Sequence, residues 1–143
     1  MDADWAQKLL HASKRASERE QEEFLALVDQ ACGVCTLEIA RVLMKTFSDK
    51  PDYGTQERVV SALATADDQV VTQAILEELP RLVQEAPEWA EALVGLEVDK
   101  RPELLQRVAS TMPESVKKAL RELLADKDFQ DFYPGACSIN QWC

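Results

Sequence analysis

Cys32-Gly33-Val34-Cys35 places two thiols at the spacing used in dithiol redox chemistry and in half of a zinc site. Redox use calls for a helix that starts at the first cysteine, so that its N-terminus stabilises the thiolate; here the first cysteine instead closes a helical pattern. Zinc calls for a second pair, and Cys137 and Cys143 have five residues between them rather than the usual two to four. Structural thiols in a helix-helix turn are the favoured reading, with zinc and redox chemistry as weaker alternatives. His11 is the single histidine, flanked on its helix by Lys8 and Lys14, and lacks the second base and nucleophile that catalysis needs. The acid pairs Asp67-Asp68 and Glu77-Glu78 suggest a divalent cation or an acid-base couple, but helical neighbours point about 100° apart and do not converge on one ion. No phosphate-binding glycine loop, HExxH or EF-hand spacing occurs. No catalysis, metal or cofactor is expected.

The acids matter collectively. Between positions 49 and 99 stand Asp49, Asp52, Glu57, Asp67, Asp68, Glu77, Glu78, Glu85, Glu88, Glu91, Glu97 and Asp99, against Lys50, Arg58 and Arg81. This stretch holds nearly all of the formal charge of -10, while the flanks are close to neutral. Such asymmetry points to a partner with a basic face and argues against nucleic acid or an anionic membrane as direct ligand. Aromatic residues among carboxylates make good contact points for basic partners. Tyr53 in the turn Asp52-Tyr53-Gly54 is one such residue. Trp89, among Glu85, Glu88 and Glu91, also fits a core stripe with Leu93 and Leu96. The expected partner-binding set is Asp49, Asp52, Tyr53, Glu57, Asp67, Asp68, Glu85 and Glu88.

Helices must position these residues. Leu37, Ala40, Met44 and Phe47 follow helical spacing, as do Val116, Ala119, Leu120 and Leu123, and strand alternation is nearly absent. Ser17 with Glu20 and Thr111 with Glu114 have capping-box spacing, and Asp67 stands where it can cap a helix. Gly33 and Gly54 mark reversals, Pro87 and Pro113 suit first turns, and Pro80 is expected to break or kink its segment. The spacing predicts helices over 4–15, 18–32, 36–47, 55–65, 68–79, 81–86, 88–96, 102–111 and 114–126. Leu43, Phe47, Val60, Leu63, Ile75, Leu79, Leu93, Val108, Leu120 and Leu124 are the predicted core.

The fold class is all-α. Helix pairs recurring every 30 to 45 residues or so suggest a short right-handed solenoid of antiparallel pairs, HEAT-like, with an irregular helical bundle as the alternative. With 143 residues and 46% hydrophobic content, one domain over 1–126 is expected. Residues 127–143, aromatic and cysteine-bearing without helical period, form a tail packed on that domain or extending from it. No apolar run approaches the roughly 20 residues of a bilayer span, and Met1-Asp2-Ala3-Asp4 lacks a secretion-signal pattern, so a cytoplasmic location is expected.

Leu79-Pro80-Arg81-Leu82 and Ala86-Pro87-Glu88-Trp89-Ala90-Glu91 follow Asp52-Tyr53-Gly54-Thr55-Gln56-Glu57, and a helix led by Pro113 with Lys117 and Leu123-Leu124 comes after them. Over roughly residues 20 to 126 this succession resembles the HEAT-like immunity proteins of bacterial polymorphic-toxin and contact-dependent inhibition systems, in particular the immunity protein 30 family. The resemblance implies a non-catalytic protein that binds the C-terminal domain of a cognate toxin, typically a nuclease, one to one as a monomer. Occlusion of a basic active-site groove by the acidic surface would follow. A helical-repeat adaptor for another protein or peptide is the alternative, and a metal-dependent enzyme a weaker one.

Overall fold

The computed structural model describes residues 3–50 and 54–136. Among them the protein is all-helical, with no strand: α1 (Ala3–Ala12), α2 (Glu18–Ala31), α3 (Leu37–Met44), α4 (Thr55–Leu63), α5 (Asp68–Glu85), α6 (Pro87–Lys100), α7 (Pro102–Ala109), α8 (Glu114–Ala125) and α9 (Lys127–Phe132). No helix among these residues is long and apolar enough to cross a membrane. The chain divides into two compact units, Met1–Ala74 and Ile75–Cys143.

In the first unit α1 packs on α2 and α3 on α4, while α1 also meets α3 and α2 meets α4. Trp5, Leu9, Phe24, Val28, Leu43, Met44, Phe47, Val59 and Leu63 are buried there. The Trp5 indole N–H donates to the Leu27 carbonyl at 3.0 Å, which joins α1 to α2 and satisfies the polar end of a buried ring. Ser17 caps α2 by accepting from the Glu20 amide at 3.2 Å, and the Glu20 carboxylate accepts from the Ala16 amide at 2.9 Å, one residue outside the standard box. Gly33 and Gly54 take φ of 82° and 99°, left-handed values that a side chain would strain, so the chain reverses where the sequence places them. The Gly33 amide donates to Thr65 Oγ1 at 3.0 Å, tying the α2–α3 turn to the end of α4.

In the second unit α6 packs on α7 and α8 on α9. Its buried side chains include Leu76, Leu79, Leu82, Leu93, Val94, Leu105, Val108, Leu120, Leu124 and Phe129.

Several expectations need correction. The segments 68–79 and 81–86 are one helix, α5, running unbroken through Pro80. Leu76, Leu79 and Leu82 are all buried around the proline, and their packing outweighs its missing amide. Thr111 does not open a capping box. Its hydroxyl donates back to the Val108 carbonyl at 2.7 Å, and Pro113, expected in the first turn, is the N-cap of α8. Val60 is half-buried and its neighbour Val59 takes the core position, because the buried stripe of α4 runs through Gln56, Val59, Ala62 and Leu63; the other nine predicted core residues are buried. Lys127–Phe132, without apparent helical period, forms α9, started by the Asp126 carboxylate accepting from the Phe129 amide at 3.1 Å.

Candidate functional site

The structure distributes the expected acidic set rather than gathering it. Asp49 precedes α4, in a connector held by buried Gln56, whose side-chain oxygen accepts from the Ser48 amide at 2.7 Å. Glu57 lies in the first turn of α4, so Asp49 and Glu57 share that end. Asp67 and Asp68 follow the other end of α4, roughly 10 Å or more along its axis at 1.5 Å per residue. All four are exposed. Asp52 and Tyr53 lie outside the described residues. Glu85 and Glu88, also exposed, belong to the second unit, where they flank the α5–α6 junction at buried Ala86.

The local charge is smaller than the sequence total. Glu97 is only 1% exposed and pairs with Arg101 one turn on. Glu78 pairs with Arg81, which also lies 3.9 Å from Glu85. Arg58 reaches back across the first unit to grip both oxygens of Asp29 at 3.0 and 2.7 Å, joining α4 to α2. Asp49, Glu57, Asp67, Glu88 and Glu91, by contrast, have no ion pair among the described residues. Each of these is therefore open to a partner.

A groove in the second unit contains residues that the sequence reading did not select. Glu88 and Glu91 of α6 line it together with Asp128, Asp131, Phe132 and Tyr133 from α9 and its C-cap, around a volume of about 460 Å³. Phe129 and Tyr133, one turn apart, face the body of the unit with ring centroids 4.9 Å apart. The Tyr133 ring lies flat against Gly95, so close that a Cβ there would overlap it. Phe132, the residue just before Tyr133, turns outward and is 82% exposed. Asp128, Asp131 and Phe132 recur at i, i+3 and i+4, and the Asp126 cap spacing was the signal that could have placed them on one helical face. Trp89 is half-buried.

Cys32 is exposed at the C-cap of α2, and Cys35 is half-buried. Burial, reinforced by the neighbouring Cys32, pushes the Cys35 thiol up to about 11, so it stays protonated and is a poor nucleophile or metal ligand at neutral pH. Among the described residues no three His, Cys, Asp or Glu side chains are arranged to hold a metal ion. Cys137 and Cys143 lie outside those residues. His11 is exposed, 3.9 Å from the Glu20 carboxylate.

Compared with known proteins, the chain matches no family model, no curated protein and no solved structure.

Proposed function

We propose that this protein is a non-catalytic immunity protein, one that binds and neutralises a bacterial toxin domain with a basic surface, a nuclease by preference. It acts in the cytoplasm as a monomer in a one-to-one complex, with acids covering the toxin's substrate groove. The observation that carries this reading is the exposure of Asp49, Glu57, Asp67, Asp68, Glu85 and Glu88 on a chain of formal charge -10. Exposed like charges in a stable helical frame raise the encounter rate with a basic partner. The pairing of α1 with α2 and α3 with α4, each first helix on first and each second on second, is what stacked helical hairpins produce, and it supports a HEAT-like arrangement in the first unit. The resemblance of the Ala-Pro-Glu-Trp-Ala segment to immunity proteins adds the toxin as the particular partner.

The test is co-expression with the polypeptide encoded immediately upstream, followed by co-purification and a growth-protection assay. Asp49→Lys, Glu57→Lys and Asp67→Lys together should slow association by about tenfold at low salt, on the scale of electrostatic steering. A control in the near-neutral flank, Glu18→Lys, Glu22→Lys and Glu23→Lys, should change it far less; Glu20 is left alone because it supports the start of α2. Loss of protection in the flank variant with retention in the central one would refute the acidic-face reading.

A further inference from the structure

The groove between α6 and α9 has four properties that together select an occupant. Glu88, Glu91, Asp128 and Asp131 give it a formal charge of -4, and no described lining residue is basic. None of the four makes an ion pair among the described residues, so none is compensated by them. They are not arranged to share one metal ion, which disfavours a small spherical cation and favours an extended one with several donors. Phe132 adds a large aromatic face left 82% exposed, open to stacking by a planar cation.

A guanidinium meets all four conditions. It is planar, carries five donors in a fixed fork, and stacks on aromatic rings while bonding carboxylates at its edge. A volume of about 460 Å³ falls within the range of clefts that take a small ligand or a few side chains. The groove's base is fixed as well: Tyr133 seats on Gly95, and a Cβ at Gly135 would stand 3.3 Å from Val98, so both the end of α9 and the turn after it sit close on α6.

We propose that the α6–α9 groove docks an arginine-bearing segment of a protein partner, with Phe132 as its aromatic face and Glu88, Glu91, Asp128 and Asp131 as the guanidinium acceptors. This goes beyond the acidic-face reading. It places a contact in the second unit, largely on residues outside the charged middle of the sequence, and does not require the partner to be a toxin.

The test is an NMR titration of the full chain at physiological ionic strength with the probe peptides acetyl-Arg-Leu-Arg-amide and acetyl-Lys-Leu-Lys-amide. The arginine peptide should shift amides in 88–92 and 128–133 saturably and bind more tightly than the lysine peptide. Phe132→Ala should weaken the arginine peptide about fivefold, in keeping with a cation-π contact, and Asp131→Asn should weaken it further. Both side chains are exposed, so neither variant threatens the fold. Shifts spread evenly over the exposed acids of the first unit, equal binding of the two peptides, or undiminished binding by Phe132→Ala would each overturn the proposal. Growth protection by the upstream-partner assay is read separately, so failure here is distinguishable from failure of the toxin reading.

Discussion

Cys35 shows how a single side chain's surroundings override its sequence motif. Its thiol, half-buried and beside Cys32, is raised to about 11, so the folded chain holds its proton more tightly than the unfolded chain does. That preference stabilises the fold fully below the ordinary thiol value of 9.0 and is lost as pH climbs towards about 11. In a background lacking Cys137 and Cys143, iodoacetamide at pH 8 should therefore modify Cys32 well before Cys35. The decline in stability between pH 9.0 and 11 should be shallower in Cys35→Ala than in the parent. Equal alkylation rates or parallel pH profiles would contradict this. Gly95 makes the opposite point, since a residue with no side chain is here defined by what approaches it. In an exposed helix Gly→Ala gains about 1 kcal/mol, but at Gly95 the new methyl would strike the Tyr133 ring. Gly95→Ala should lower the melting temperature, and it should lower it less in a Tyr133→Ala background, where the ring it strikes is gone.

At the scale of elements, α5 is a helix that the sequence argues against at one position. Proline in a helix interior costs about 3 kcal/mol, and α5 bears that cost between buried Leu76, Leu79 and Leu82. Pro80→Ala should raise stability by about 1–3 kcal/mol in urea denaturation, with the helical content unchanged. A loss of stability would mean that the half-buried proline ring itself contributes to that packing. The pair of segments divided at Pro80 was the natural reading, because local propensity is visible in sequence and the burial that overrides it is not. Most of the other helices were legible from apolar periodicity and from glycine and proline punctuation. Short α9 was not, since six residues cannot display a period, and only the Asp126 cap announced it. The groove was hidden for the same reason: Glu88 was selected for its charge, but its neighbours Asp128 and Asp131 lie 40 or more positions later in a segment read as tail.

Over the whole molecule, net charge was legible as a sum and misleading as a map. Glu97 and Glu78 spend their charge on Arg101 and Arg81, while Asp49, Glu57, Asp67 and Glu88 remain uncompensated among the described residues. Association with a basic partner should accordingly weaken as ionic strength rises past about 0.15 M, where the Debye length is about 8 Å, and the on-rate should fall more than the off-rate rises. Stopped-flow measurements at several salt concentrations separate the two, and a salt-independent on-rate would point to an interface without this acidic contribution. The indole of Trp5, buried in the first unit and bonded to the Leu27 carbonyl, gives the molecule a built-in optical label. Half-buried Trp89 labels the second unit. With Trp142→Phe in the background, Trp5→Phe leaves Trp89 and Trp89→Phe leaves Trp5 as the single emitter, so fluorescence alone can follow how each half of the chain melts and which half a bound partner protects.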